Sequence, residues 1–174
     1  MKNKTLRFIL LLLIVVSSIS CDQLSKQVAR ARLDYMQPVH VMDGFLSLIR
    51  VENTGAFLSL GHSWPMPLRI FVLVILPIAS ILSVTFYLFK RRKVSLLMVI
   101  AFGLIIGGGI GNLYDRVVFG HVTDFLHMDF HYFQTGVFNM ADVSIMVGAF
   151  LMLLEIFLLP LIKGRPPAHK RGAA

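Results

Sequence analysis

Asp124, in His121-Val-Thr-Asp-Phe125, and Asp142, in Phe138-Asn-Met-Ala-Asp-Val-Ser144, are two of only nine acidic residues in a chain of 174. Each lies beside a long apolar run, where an ionisable side chain is expensive and marks a site by default. Two carboxylates held close together resist ionising at once and share one proton. The ionised member takes a proton from water while the protonated member donates to an acyl oxygen. Water is then activated at neutral pH without a metal. The titration would belong to the pair rather than to either residue.

The elements that must position this pair are mostly apolar. Hydrophobic residues make up 56% of the chain, above the ~45–50% usual in soluble domains. A membrane-spanning helix needs ~20 apolar residues. Four segments meet or approach that length, predicting transmembrane helices over about 7–30, 68–89, 94–113 and 139–162. The expected fold is an all-α membrane protein of four transmembrane helices with a small extracytoplasmic β-hairpin or sheet over about 35–66. Residues 1–162 read as a single integral-membrane domain and 163–174 as a disordered cytoplasmic tail. In the outer segment, Val39–Met42 and Phe45–Val51 flank Asp43-Gly44, a two-residue hairpin signal. Trp64, beside Pro65 and Pro67, suits an interfacial anchor.

The net charge of +8 does not imply nucleic acid, because the basic residues cluster at the ends of apolar runs. Lys2, Lys4 and Arg7 precede the first helix, Lys90 to Lys93 form the turn between the second and third, and Lys163, Arg165, Lys170 and Arg171 follow the fourth. Eleven of the seventeen basic residues thus fall on one side, which the positive-inside rule assigns to the cytoplasm. Both termini are then cytoplasmic, with about 31–66 and 112–138 outside. A single cysteine, Cys21, excludes a disulfide framework. Residues 1–21 mimic a lipoprotein signal ending in Ser18-Ile19-Ser20-Cys21. Three further spans favour keeping the segment as helix one.

Other polar residues gather at the outer helix ends. Asp22 and Lys26 are spaced i, i+4 and share a face. They read either as a stabilising pair with Lys26 snorkelling outward or as a pair lining the substrate entrance. Asn53 and Gly55 follow the hairpin as a turn or as a surface for an extended peptide. Gly103, Gly107 and Gly111 form a smooth stripe for close helix packing, leading into Asn112, Asp115 and Arg116. Asn139 and Asp142 have the spacing of a helix cap. His127, Asp129 and His131 alternate as facial metal ligands would on a strand, but an interfacial loop is the simpler reading and no metal is expected.

Five blocks in order carry a resemblance: Asp22-Gln-Leu-Ser-Lys26, Asn53-Thr-Gly-Ala-Phe57, Gly111-Asn-Leu-Tyr-Asp-Arg116, Val122-Thr-Asp-Phe125 and Phe138-Asn-Met-Ala-Asp-Val-Ser144. From about residue 8 to 160 the chain resembles lipoprotein signal peptidases (signal peptidase II). The resemblance implies a four-helix aspartic endopeptidase of the bacterial inner membrane with its active site at the outer face. Such enzymes remove signal peptides from diacylglyceryl-modified prolipoproteins, cleaving just before the lipidated lipobox cysteine. Asp124 and Asp142 take the catalytic positions. Asp22, Lys26, Asn53, Gly55, Asn112, Asp115, Arg116 and Asn139 take supporting or substrate-binding ones. No cofactor is implied. The partners are lipidated prolipoproteins, membrane lipids and the cyclic peptide antibiotic globomycin, and a monomer is expected. Two departures stand beside the pair: Thr123 where the family has Val or Ile, and Val143 then Ser144 where it has Ser or Thr first.

Overall fold

The computed structural model describes residues 3–42, 44–56, 60–91 and 93–158. Four helices are long and apolar enough to cross a membrane: α1 Lys4–Arg32, α2 Met66–Lys90, α3 Leu96–Phe119 and α4 Met140–Leu158. Three strands, β1 Val39–Met42, β2 Leu46–Asn53 and β3 Val122–Met128, form one antiparallel sheet in the order β1-β2-β3. The protein is therefore a helical membrane protein with a small sheet at one end. The expected tail at 163–174, together with Asp43, Phe57 and Arg92, lies outside the described residues.

Local chemistry explains where the helices start and stop. The Asn3 side chain caps α1 by accepting from the Thr5 and Leu6 N–H groups at 2.9 and 3.2 Å, which relieves donors that no helix can satisfy internally. Ser95 does the same for α3 through the Met98 N–H. In α2, Pro77 lacks an N–H, and the helix widens to π geometry over Phe71–Ile75 just before it. Helix α3 runs six residues past the expected limit of 113. Its C-terminal stop is Gly120, left-handed at φ 77, with its N–H bonded to the Arg116 carbonyl. Asn112 and Asp115 stand before the end of this helix. They are buried in the protein interior.

Helix α3 is the hub, packed between α1 and α4 with α2 alongside. Two glycine faces let its neighbours approach. A Cβ at Gly103 or Gly107 would strike Ile14 or Ser18 of α1, and one at Gly108 would strike the Ala141 carbonyl of α4. The sequence stripe revealed only the first face. Large apolar side chains such as Leu13, Val16, Leu82, Phe86 and Phe150 remain exposed, as expected where lipid replaces water around the bundle.

At the sheet end, β1 and β2 form the expected hairpin, with Gly44 at φ 71 and the Phe45 N–H on the Met42 carbonyl. The third strand was not anticipated. β3 follows α3 directly and pairs with β2, setting Asp124 opposite Val51 and Val122 opposite Asn53. Phe138 then exchanges backbone bonds with Leu126 at 2.8 and 2.9 Å, delivering the chain to α4. At the opposite end, Arg7 is buried and donates to the Leu88 and Arg91 carbonyls at 2.8 and 2.9 Å. The start of α1 is thereby fastened to the end of α2.

Candidate active site

Asp124 stands on β3, 3% exposed, and Asp142 stands in the first turn of α4. Asn139 joins them. Its backbone N–H donates to Asp142 Oδ2 at 3.2 Å, and its side-chain Nδ2 donates to Asp124 Oδ1. Its Oδ1 accepts from the Asp142 N–H at 3.0 Å, completing a capping box. The helix cap and the bridge between the acids are one set of bonds. Each carboxyl takes a second donor: Asn53 Nδ2 on Asp124 Oδ2 at 2.9 Å and Asn112 Nδ2 on Asp142 Oδ1 at 2.8 Å.

Beneath this layer lies a buried ionic cluster. Lys26, Asp22 and Asp115 are each 0% exposed. The Lys26 ammonium reaches Asp22 Oδ2 at 2.9 Å, Asp115 Oδ2 at 3.2 Å and Asn112 Oδ1 at 2.9 Å. Its three protons therefore have three acceptors. Arg30 adds a second cation on Asp115 Oδ2 at 2.9 Å, so two positive and two negative groups offset one another. Lys26 does not snorkel outward and does not line an entrance, because satisfying three acceptors on α1 and α3 draws it inward.

The two buried acids hold the backbone next to the pair. Asp22 Oδ1 accepts from the Ala141 N–H at 2.9 Å, one residue before Asp142. Asp115 Oδ2 accepts from the Thr123 N–H at 3.2 Å, one residue before Asp124. Lys26 links both acids. It also orients Asn112: an ammonium has only donors, so the Asn112 oxygen must face it and the amide nitrogen must face Asp142.

The remaining predicted residues have defined places. Gly55 gives its N–H to Asn53 Oδ1 at 2.9 Å and its carbonyl to Arg116 at 3.0 Å, so Arg116 tethers the segment after β2 to α3. Asp129 and His131 close a surface turn, with Asp129 accepting the His131 N–H and the Gln134 amide. Among the described residues no group of three His, Cys, Asp or Glu side chains is placed to hold a metal ion. The Thr123 hydroxyl accepts from Arg30 Nε at 2.8 Å, and the Ser144 hydroxyl bonds back to the Met140 carbonyl. Both side chains are engaged away from the two acids.

Sequence reasoning missed Gln23 and Arg30. Gln23 Nε2 touches Asp22, Asp115 and the Gly111 carbonyl. Arg30 was visible in principle, since Asp22, Lys26 and Arg30 repeat every four residues along one face of α1.

Asn53, Asn112, Arg116, Asp124, Asn139 and Asp142 all line one small cleft. It shares Ala56, Asn112, Arg116 and Asp142 with a groove of about 480 Å³ walled by Val72, Leu73 and Pro77 of α2, Gly109 of α3, and Ile145 and Met146 of α4. Burial raises the Asp124 carboxyl to about 6; the Asn53 and Asn139 donors oppose this and the nearby Asp142 adds to it. A group near 6 is suited to holding a proton that it can give up.

The signal peptidase (SPase) II family matches residues 14–158. A lipoprotein signal peptidase of Acinetobacter baumannii is 37% identical over 154 residues, covering 87% of this chain and 84% of that protein. One of Pseudomonas aeruginosa is 38% identical over 142 residues, covering 78% and 80%. A solved bacterial membrane enzyme superposes with a TM-score of 0.78 at 25% identity, covering 90% of this chain and 92% of the other.

Two outcomes follow from the geometry. Lys26→Met leaves Asp22 and Asp115 short of a cation and should cost about 3–5 kcal/mol of stability. Adding Asp22→Asn should recover part of that loss. Denaturation in detergent measures both, and a double variant no more stable than the single would contradict the charge argument. The second concerns pH. The folded Asp124 keeps its proton up to about 6, whereas the unfolded group loses it near its ordinary value. Folding therefore binds an extra proton in between, and this contribution to stability falls as pH rises through that window. The Tm of Asp124→Asn minus that of the wild type should become more positive from pH 4 to 7. A flat difference would contradict the buried, proton-holding carboxyl.

Proposed function

The chain belongs to the signal peptidase II family, and on that premise we propose that it is an aspartic endopeptidase that removes signal peptides from lipidated prolipoproteins. The observation that carries this reading is the placement of Asp124 and Asp142 around one polar cleft that opens into an apolar groove. A signal helix lies in the groove among α2, α3 and α4, its scissile carbonyl at the cleft. The diacylglyceryl chains stay in lipid, and cleavage falls just before the modified cysteine.

Asp142 sits at a helix N-terminus with two N–H donors on its oxygens. It serves as the base that takes a proton from water. Asp124, buried with its carboxyl raised to about 6, donates to the carbonyl oxygen. The attack forms a tetrahedral intermediate, which collapses as the amide nitrogen is protonated and leaves. Neither step calls on a metal or organic cofactor. Asn53, Asn112 and Asn139 orient the carboxyls, while Asp22, Lys26 and Asp115 hold the backbone that bears them. Arg116 and Gly55 hold the segment after β2 over the cleft. Globomycin acts as a competitor for the same groove, and the enzyme works as a monomer.

We place the protein in the bacterial inner membrane with both termini cytoplasmic and the sheet and acids at the outer face. The basic residues at the end opposite the sheet support this orientation.

The direct test is cleavage of a lipidated prolipoprotein by the purified chain. Asp124→Asn and Asp142→Asn should each reduce turnover by at least about a hundredfold while the protein still folds in membranes. Asp129→Asn, in a surface turn away from the cleft, should be mild. Near wild-type turnover in either dyad variant would sink the assignment.

Orientation is checked by cysteine labelling in a Cys21→Ser background. Impermeant reagents added outside should reach a cysteine at Ser63 and not one at Lys93. The reverse pattern would put the acids on the cytoplasmic face, out of reach of exported substrates.

A further inference from the structure

The basic end of the bundle holds a second cavity, far along the helices from the acids. It has a volume of about 350 Å³ in the seam between α1, α2 and α3. Phe8, Leu11, Phe89 and Val99 form its apolar walls, and Lys4, Thr5 and Arg7 form its polar mouth. The Phe8 and Phe89 rings pack against each other in this lining, their centroids 5.7 Å apart. The backbone of Arg91 lies against Arg7, and Lys90 and Arg91 lean on the rings of Phe86 and Tyr87.

The charge at this mouth lacks a carboxylate counterpart. Arg7 is 7% exposed, and its bonds go to two neutral carbonyls. Among the described residues no carboxylate forms an ion pair with Lys4, Arg7, Lys90 or Arg91. Glu155, the one acid placed in the sequence away from the sheet end, pairs with none of them. The contrast with the Lys26 cluster, where cations and carboxylates balance, is direct. An apolar slot beneath an unbalanced cationic rim suits a molecule with a hydrocarbon chain and a net negative head. A free anion cannot occupy the slot, and a zwitterionic lipid brings no net charge to the rim.

We propose that this seam binds one anionic phospholipid, its phosphate at Lys4, Thr5 and Arg7 and an acyl chain along the apolar wall of Phe8, Leu11, Phe89 and Val99. Basic pockets between membrane helices recognise anionic headgroups in this way. The bound lipid reinforces the junction that Arg7 makes between α1 and α2. The site is separate from peptide cleavage, and its test does not depend on activity.

The test is native mass spectrometry of the full chain in detergent, titrated with phosphatidylglycerol or with phosphatidylcholine of matched chains. One phosphatidylglycerol should be retained in preference. Lys4→Gln should weaken retention about fivefold. Thr5→Trp, which plugs the mouth and leaves every charge in place, should weaken it at least as much. Lys93→Gln, which removes the same charge outside the cavity, should leave it unchanged. Equal retention of the two lipids, full retention in Thr5→Trp, or displacement by millimolar inorganic phosphate would each overturn the proposal.

Discussion

A fully buried lysine governs the sheet end of this protein. Removing an ammonium from water costs several kcal/mol and is tolerated only when every donor is met and charge is offset. Lys26 meets that demand with Asp22, Asp115 and Asn112. The consequence reaches beyond the cluster. Asp22 and Asp115 each hold the N–H of the residue just before a dyad carboxylate, on α4 and β3 respectively. Charge-assisted hydrogen bonds of this kind are roughly twice as strong as neutral ones. The relative position of two acids on different elements is therefore set by one cation on a third.

That arrangement requires close backbones. Lipid gives little hydrophobic drive for one helix to pack on another, so small residues and polar bonds must supply the association. Gly111 shows how the two are coupled: a Cβ there would lie 2.5 Å from Asp22 Oδ2. Gly108 plays the same part against the first turn of α4. The glycines of α3 are thus a condition for the ionic cluster, since a wider spacing would leave Lys26 out of reach of one acid or the other. Gln23 closes the remaining gap, sharing its two amide N–H donors among both acids and the Gly111 carbonyl.

Helices that face lipid declare themselves in sequence because apolar length is what the membrane demands, and all four were legible. The hairpin was legible because Asp43-Gly44 sits between two β-rich runs. β3 was harder. Val122, Thr123, Asp124 and Phe125 are all buried, so the strand lacks the alternation that marks a half-exposed one. Its polar members are satisfied by side chains of α1, α3, β2 and the cap of α4, partners that the strand's own sequence does not reveal. The end of α3 was placed too early because the apolar run gives way to polar residues at Asn112, whose partners come from Lys26 of α1 and from the start of α4. The inward turn of Lys26 was equally hidden, since i, i+4 spacing reveals Asp22 but not the acceptors contributed by α3.

The cap and the site were set apart as alternative readings of Asn139 and Asp142, yet they are the same bonds. A helix start must satisfy free N–H groups, and here the acceptors that do so are the site's own side chains. The stability of α4 therefore holds the geometry in place at no separate cost. It also separates the residues by task. Asn139 spends both its amide groups within the protein, on Asp142, Asp124 and Asn112. Each dyad carboxyl accepts two donors, whereas an ionised carboxylate offers about four lone-pair sites. The spare acceptor capacity at the cleft belongs to Asp124 and Asp142. The surrounding asparagines fix the direction in which those oxygens point.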